Sequence, residues 1–342
     1  MSNKLITESL SGKWYTEKRI FDKETDKIFF NSWLLVCSES KIKKPGETLF
    51  VEILNQPLIF IRQEDQSIRV FYNVCSHRGG SIKKEHKCVN YLQCSYHGWI
   101  YNLNGELKKS RGFNSSQLNF NDLRLKEIDS RVWKGMLFIN FSNTPDTFKN
   151  TFDKIEELIS PYKIDSFLFY KRISYKIKCN WKVYLDNYLE GLHIPIVHPK
   201  LNRALNYKSY KTEVFDNFSV QSGKIINENS PYLNDSNSYA YYVTIYPNFL
   251  FNIAPGRLQT NIIEPVNEKQ CVVHFDYYFD SIEKSIINED ITFSDKVQKE
   301  DILICEKIQK NMSSRGFDKG ILSGDYELGV KHFQDFIKKS LI

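Results

Sequence analysis

Two short motifs, each joining a cysteine to a histidine, constrain this chain more than any other feature. One serine separates Cys75 from His77, and two residues separate Cys94 from His97. Sixteen residues lie between the two motifs. Thiolates and imidazoles are common metal ligands, so four of them in this arrangement predict one metal centre.

The four ligands are compatible with a structural zinc ion or with a Rieske [2Fe–2S] centre. A zinc finger pairs cysteine with cysteine and histidine with histidine in a closed tetrahedron. In a Rieske centre two thiolates hold one iron and two imidazoles hold the other. Here each loop supplies one residue of each type, and glycines at 79, 80 and 98 allow the loops to close over a bulky cluster. The pattern favours the Rieske centre.

The 342 residues have room for about two domains, and the order of the elements predicts an α+β fold. Short apolar runs between turn signals predict an antiparallel β domain over residues 33–142. We expect residues 1–32 to pack on the core and residues 143–162 to form a linker. From 163 to 342, strands alternate with a helix near 180–191 and a long helix near 289–312.

Composition argues against several other classes of protein. The sequence has no run of eighteen apolar residues and no apolar signal region at its start. The net charge of +6 is spread over interspersed lysines and glutamates, unlike a nucleic-acid-binding surface. We therefore expect a cytoplasmic protein that binds neither membrane nor nucleic acid. The cysteines outside the two motifs are expected to be small buried residues: Cys37, Cys88, Cys179, Cys271 and Cys305.

A second metal site is predicted in the C-terminal half. Asp186, Glu190 and His193 follow one another at intervals of four and three residues, which a continuous helix would place on one face. Pro195 interrupts that helix, which allows His198 to turn towards the same ion. Two histidines beside acidic residues are better explained as ligands than as ordinary core residues.

A facial iron site needs two histidines and one carboxylate, and the long helix near 289–312 offers the carboxylate. Asp301 lies in an apolar stripe formed by positions 297, 304, 305, 308 and 312, where an unpaired charge would be costly. This pattern predicts that Asp301 binds the metal. Glu300 and Glu306 lie off the stripe and are expected to point into solvent.

The segments CSHRGG and CSYHGW resemble the Rieske motif of the ring-hydroxylating oxygenases, and NWK, DNYLEGLHIPIVH and VQKEDILICE resemble the iron-site segments of that family. The resemblance extends from about residue 14 to residue 332. It implies a Rieske domain followed by a helix-grip-like catalytic domain with a mixed antiparallel sheet and long helices. The implied ligands are Cys75 and Cys94 for one cluster iron, His77 and His97 for the outer iron, and His193, His198 and Asp301 for a mononuclear Fe(II).

The same resemblance implies an oxygenase that consumes O₂ and receives electrons from a ferredoxin or flavin-type reductase. It implies a ring-shaped homotrimer, in which Glu190 is the acidic bridge to the cluster of a neighbouring subunit. Many relatives have Asp at that position. Asp186 is the second acidic residue assigned to the catalytic group, and both monooxygenation and dioxygenation remain open.

The C-terminal half most resembles the branch of choline monooxygenases and related enzymes acting on betaine- and carnitine-like compounds. A quaternary ammonium group is commonly held against aromatic rings, and candidates near the iron segments are Tyr184, Tyr188, Phe249 and Phe251. The alternatives are an aromatic ring hydroxylase or O-demethylase with the same metals, a Rieske electron-transfer protein, and a zinc-stabilised interaction protein.

Overall fold

The computed structural model of the chain describes residues 6–83, 88–113, 119–142, 147–160, 162–225, 238–280 and 283–342, with the backbone alone at 121 and 204–208. It divides into two compact units. One is Phe30–Pro145, and the other combines Met1–Phe29 with Asp146–Ile342. The N-terminal segment therefore belongs to the unit that carries the C-terminal half.

Strands and helices occur in both sequence halves, as an α+β fold requires. In chain order the strands are β1 (Ile6–Glu8), β2 (Leu34–Ser38), β3 (Thr48–Ile53), β4 (Gln56–Arg62), β5 (Ile68–Tyr72), β6 (Leu92–Gln93), β7 (Ile100–Tyr101), β8 (Leu107–Lys109), β9 (Glu127–Trp133), β10 (Met136–Asn140), β11 (Leu168–Ile177), β12 (Leu205–Val214), β13 (Phe218–Ile225), β14 (Tyr239–Ile245), β15 (Phe249–Ala254), β16 (Arg257–Asn267), β17 (Gln270–Phe279) and β18 (Ile321–Ser323). The α-helices are α1 (Lys13–Thr16), α2 (Lys18–Lys27), α3 (Phe148–Leu158), α4 (Trp181–Tyr188), α5 (Ile194–Val197), α6 (Pro199–Ala204), α7 (Lys284–Met312) and α8 (Leu328–Leu341).

The unit Phe30–Pro145 contains a six-stranded antiparallel sheet in the order β2-β10-β9-β5-β4-β3 and a three-stranded sheet in the order β6-β7-β8. Cys75 lies just after β5 and Cys94 just after β6, so each motif lies in its own loop. Both cysteines belong to an apolar cluster with Ile59, Phe71 and Trp99. The loops that carry the predicted ligands are thus attached to a rigid core.

The larger unit contains a seven-stranded antiparallel sheet in the order β11-β17-β16-β15-β14-β13-β12. Its register places Tyr242, Asn252 and Gln259 opposite one another on neighbouring strands. Phe251 and Thr260 form the adjacent row. Because side chains alternate between the two faces of a sheet, these two rows point to opposite faces.

Helix α4 is anchored by buried polar contacts. The side chain of Asn180 caps it by accepting a hydrogen bond from the backbone nitrogen of Lys182 at 3.0 Å. Glu24, from α2, accepts a hydrogen bond from the indole of Trp181 and pairs with the ammonium of Lys182 at 2.7 Å. Both members of this ion pair are fully buried. The N-terminal segment therefore holds α4 in place. The helix ends at Tyr188, earlier than the predicted end near residue 191.

Two further expectations concern membrane-spanning helices and the burial of the cysteines. No helix among the described residues is long and apolar enough to cross a membrane. Cys37, Cys179, Cys271 and Cys305 are buried, as predicted. The prediction was wrong for Cys88, which is exposed because it lies in the irregular stretch between β5 and β6.

Candidate metal centres and active-site cavity

Each Cys–His loop closes through a glycine in the left-handed backbone region. The amide of Gly79 donates to the carbonyl of Cys75 at 3.0 Å, and the amide of Gly98 donates to the carbonyl of Cys94 at 3.2 Å. The φ angles are +72° at Gly79 and +74° at Gly98, which side chains larger than hydrogen rarely adopt. The glycines predicted to allow tight closure of the loops have that role here.

The side chains of the two loops meet as a pair of imidazoles and a pair of thiols. The imidazole rings of His77 and His97 have centroids 4.6 Å apart. The pKa of the Cys75 thiol is raised by burial, and the neighbouring Cys94 thiol adds to the rise. The hydroxyl of Tyr101 lies 3.0 Å from the sulfur of Cys75. A pair of neighbouring thiols and a pair of neighbouring imidazoles are the donor set of a Rieske cluster.

One imidazole nitrogen in this group lacks, in the described part of the chain, the hydrogen-bond partner that a buried polar atom normally has. Within the described residues, Nδ1 of His77 is buried and has no hydrogen-bond partner. The ring is held by stacking on Trp99, with centroids 4.8 Å apart and planes 7° from parallel. A buried nitrogen without a partner is costly, and coordination to an iron ion would satisfy it. The residues present therefore fit a [2Fe–2S] cluster.

The second predicted site is also assembled in the fold. His193 immediately precedes α5, His198 immediately follows it, and Asp301 lies in α7. Ligand atoms of these three residues all lie within 4.8 Å of one another. Oδ1 of Asp301 is 2.9 Å from Nε2 of His198 and 3.7 Å from Nε2 of His193. This donor set fits an iron ion bound by two imidazoles and one carboxylate.

A second carboxylate holds each imidazole of this triad. Nδ1 of His193 lies 2.5 Å from Oε1 of Glu190, and Nδ1 of His198 lies 2.8 Å from Oε2 of Glu300. When both Nδ1 atoms carry the proton and donate to these carboxylates, the lone pairs on Nε2 are free to bind a metal. The expectation that Glu300 points into solvent was therefore wrong. The prediction failed because the imidazole of His198 contacts Glu300, which lies beside the apolar stripe of α7, as well as Asp301 within the stripe.

Glu306 also has a partner that the sequence did not indicate. Its Oε1 accepts a hydrogen bond from the backbone nitrogen of Lys178 at 3.0 Å. Glu306 is partly exposed, so it points towards solvent as expected while making this one contact. Asp301 is held by Asn187, whose side-chain amide donates to Oδ1 at 2.8 Å.

Glu190 and Asp186 were both assigned to the catalytic group, but the structure places them differently. Glu190 lines the cavity beside the triad and also accepts hydrogen bonds from the backbone nitrogens of Leu192 and His193. Asp186 instead accepts a hydrogen bond from the hydroxyl of Tyr15 at 2.6 Å, and it is not among the described residues that line the cavity. Because α4 ends at Tyr188, the two acidic residues do not share one helical face, and the catalytic assignment of Asp186 is corrected.

One cavity of the larger unit reaches the metal triad. Its wall includes His193, His198 and Asp301, and the two tyrosines predicted to bind substrate, Tyr184 and Tyr188, also line it. Further rings in the wall come from Tyr210, Tyr242, Phe275 and Phe293.

Phe249 and Phe251 are not among the cavity-lining side chains of the described residues. Both are almost fully buried, and their rings pack against each other with centroids 5.8 Å apart. They lie on the sheet face opposite Asn252, which does line the cavity. The assignment of these two phenylalanines to substrate binding is therefore corrected.

Sequence reasoning missed a polar stripe in the same wall. Arg257, Gln259 and Asn261 alternate along β16 and all line the cavity. The signal was present, because polar residues at every second position of an apolar strand predict one polar face.

Comparison with known proteins places the chain in a family. Residues 164–341, over half of the chain, match the family described as the ring hydroxylating alpha subunit (catalytic domain). The chain belongs to this family. Residues 32–121 match the Rieske [2Fe-2S] domain, so this oxygenase carries a [2Fe–2S] cluster and a mononuclear iron. The predicted family, fold, cofactors and oxygenase activity are confirmed.

The chain is similar in sequence to choline and carnitine monooxygenases. It is 30% identical over 328 residues to the chloroplastic choline monooxygenase of Arabidopsis thaliana, covering 90% of this chain and 77% of the relative. It is 26% identical over 356 residues to the carnitine monooxygenase oxygenase subunit of Escherichia coli (strain K12), covering 96% of this chain and 92% of the relative.

Solved structures share the fold. The quaternary ammonium Rieske monooxygenase CntA in complex with L-carnitine superposes with a TM-score of 0.83 at 23% identity, covering 100% of this chain and 97% of the other. Naphthalene 1,2-dioxygenase with bound indole gives a TM-score of 0.75 at 18% identity, covering 98% of this chain and 92% of the other. The family requires a small-molecule substrate, O₂ and a source of electrons.

Proposed function

We propose that this oxygenase hydroxylates or N-demethylates a small quaternary ammonium compound of the choline, betaine or carnitine type. The observation that carries the proposal is that aromatic rings and the triad of His193, His198 and Asp301 line the same cavity. The names of the relatives, which act on choline and carnitine, support the same class of substrate.

The tyrosines of the cavity suit a cationic group. Burial raises the pKa of Tyr184, Tyr188 and Tyr242, so their phenols stay neutral near pH 7. Tyr184 donates to Gln298 at 2.8 Å and Tyr188 donates to Asn252, which fixes both hydroxyls. The faces of neutral, immobile rings attract a quaternary ammonium, which cannot itself donate a hydrogen bond.

Within this proposal the side chains around the triad have defined roles. Iron bound by the triad supplies the activation of O₂ that C–H hydroxylation needs. Glu190 and Glu300 accept the Nδ1–H protons of His193 and His198 and keep each Nε2 directed at the ion. Asn187 holds the carboxylate of Asp301 in place. The rings of the cavity orient the methyl groups of the substrate and exclude water.

The electron path and assembly belong to the same proposal. Cys75, His77, Cys94 and His97 would hold the cluster, and Glu190 would be the acidic bridge to a cluster histidine of a neighbouring subunit. This arrangement requires the homotrimer that the family resemblance implies. The electrons would come from a ferredoxin or flavin-type reductase, and we place the reaction in the cytoplasm.

A single-turnover reaction tests the proposal. The reconstituted protein would be chemically reduced, mixed with O₂ and offered choline, glycine betaine, carnitine and simple aromatic acids in separate reactions. We expect betaine aldehyde from choline, or formaldehyde from an N-methyl compound. Oxidation of an aromatic acid alone would support the rival ring hydroxylase or O-demethylase and would contradict the ammonium substrate.

A further inference from the structure

The polar stripe on β16 has a fixed direction of hydrogen bonding. Nη2 of Arg257 donates to Oε1 of Gln259 at 2.7 Å, and Nε2 of Gln259 donates to Oδ1 of Asn261 at 2.9 Å. The hydroxyl of Ser294, in α7, also donates to Oε1 of Gln259 at 2.9 Å. The stripe is therefore one continuous chain of hydrogen bonds that begins at a cation.

The guanidinium of Arg257 determines how the side-chain amides of Gln259 and Asn261 are oriented. A guanidinium can only donate, so the atom of Gln259 beside Arg257 must be its oxygen. The amide nitrogen of Gln259 must then face Asn261 and bond to the oxygen of that residue. What remains of Asn261 is its NH₂ group. The wall thus presents a donor at Asn261 whichever way the amides were first assigned.

The guanidinium of Arg257 is incompletely satisfied by the protein. Its Nε lies 3.3 Å from Oδ2 of Asp290, but neither atom has a hydrogen-bond partner within the described residues. Asp290 is almost completely buried, and this burial raises its pKa. Arg257 acts against that rise, so the two groups form an ion pair. The contact lacks hydrogen-bond geometry, however, and Arg257 keeps N–H groups that can bind an anion in the cavity that it lines.

Two more side-chain amides of the same wall have donors to offer. Gln298 is 2% exposed, and its Nε2 is buried without a partner among the described residues. Asn252 accepts from Tyr188 through its oxygen, so its nitrogen remains a donor. In contrast to the triad and Glu190, this part of the cavity wall is formed by donors and one cation.

We infer that the cavity contains a carboxylate-binding subsite formed by Arg257 and Asn261. The substrate is then a zwitterion that carries a carboxylate as well as the quaternary ammonium group, and choline, which has no carboxylate, is the poorer ligand. This inference rests on the proposed function for the ammonium group only. The subsite itself depends on the donors of β16.

Three small molecules of nearly equal shape separate the two recognition elements. Glycine betaine has both the trimethylammonium and the carboxylate, choline lacks the carboxylate, and 3,3-dimethylbutyrate replaces the ammonium nitrogen by carbon. Their dissociation constants would be measured by calorimetry on the holoenzyme without O₂. We expect glycine betaine to bind at least about tenfold more tightly than choline, the usual scale for one charge-assisted hydrogen-bonded contact.

Substitution of the arginine assigns the difference to its guanidinium. Arg257→Gln should weaken the binding of glycine betaine by about tenfold or more and leave that of choline within about threefold. Arg172→Gln is the matched control, because Arg172 forms a bidentate pair with Asp276 in the same sheet and does not line the cavity. The double variant Arg257→Gln, Asp290→Asn avoids an orphaned carboxylate and should behave like the single variant.

The outcomes distinguish this inference from the proposed function. Equal affinity for choline and glycine betaine in the wild type, or an equal loss of both in Arg257→Gln, would overturn the subsite. Binding of 3,3-dimethylbutyrate that requires Arg257, with no binding of either ammonium compound, would support the subsite and contradict the proposed function. Binding of choline alone would do the reverse.

Discussion

Oε2 of Glu300 lies 2.8 Å from Nδ1 of His198, while the next residue of the same helix, Asp301, lies 2.9 Å from Nε2 of that imidazole. Helix α7 therefore contacts both nitrogens of one histidine through consecutive residues. His198 is almost completely buried, so its ring cannot turn without breaking both contacts. The helix therefore carries one of the proposed metal ligands and also orients another.

Replacing Glu300 should loosen the iron without removing a ligand. In Glu300→Gln the imidazole of His198 loses its charged acceptor, and losing such an orienting partner typically lowers metal affinity by about 10- to 100-fold. Competition with an iron chelator would measure the change. Glu289→Gln is the control, because Glu289 is exposed on the same helix. Unchanged iron affinity in Glu300→Gln would contradict this role.

Removing the carboxylate of Asp301 should abolish the mononuclear iron centre and leave the [2Fe–2S] cluster intact. Asp301→Ala leaves only two of the three ligand residues, so we expect loss of the mononuclear iron and of turnover. The cluster lies in the unit Phe30–Pro145, and its visible spectrum should persist. Iron analysis should fall from about three ions per chain to about two, since the cluster holds two. Simultaneous loss of the cluster spectrum would refute the assignment of two separate sites.

Gly80 allows close packing at the cluster site. A Cβ atom at this position would lie 2.8 Å from the sulfur of Cys94 and 2.9 Å from Cβ of Tyr96. Gly80→Ala should therefore displace a cluster ligand and reduce the visible absorbance per chain. Gly79→Ala is a matched control, because its Cβ would meet nothing within 4 Å but its φ of +72° adds strain of about 1–2 kcal/mol. Comparing the two variants distinguishes the effect of the contact with the Cys94 sulfur from the effect of backbone strain. An equal loss of absorbance in both would argue against a role for that contact.

The residues that we propose as ligands of the mononuclear iron could be chosen from the sequence because they depend on local spacing, and the structure brings their ligand atoms within 4.8 Å of one another. His193 and His198 lie within one short segment, and the period of α7 set Asp301 apart from its apolar neighbours. The roles of Glu300 and Asp186 depend instead on partners distant in sequence. His198 is about one hundred residues from Glu300, and Tyr15 lies 171 residues from Asp186. No periodicity within one helix contains that information.

The cavity wall shows a different limit of sequence reasoning. The aromatic residues near the iron segments predict Phe249 and Phe251 as substrate-binding residues, yet Asn252 faces the cavity from the same strand. Alternation predicts two faces for a strand but not which face meets the site, and a shift of one residue exchanges them. The register with Tyr242 and Gln259 resolves the choice, and it appears only when β14, β15 and β16 are paired.

The buried carboxylate of Asp186 should make stability depend on pH. Burial raises its pKa to about 7, although the hydrogen bonds from Tyr15 and Gln334 act in the opposite direction. The folded protein therefore keeps a proton that the unfolded chain releases near pH 4. Between these values the folded state binds more protons, so stability falls as pH rises, by at most about 1.4 kcal/mol per pH unit.

Asp186→Asn removes this titration and keeps an oxygen that can accept from Tyr15. We expect the stability of the wild type relative to this variant to be highest near pH 4 and to decrease up to about pH 7. Denaturant unfolding of both proteins at a series of pH values would measure the difference. Asp153→Asn is the control, because Asp153 is exposed and its substitution leaves the buried carboxylate of Asp186 in place. A constant difference between wild type and Asp186→Asn from pH 4 to pH 7 would mean that Asp186 is ionised in the folded protein. The hydrogen bonds from Tyr15 and Gln334 would then outweigh the cost of burying the charge.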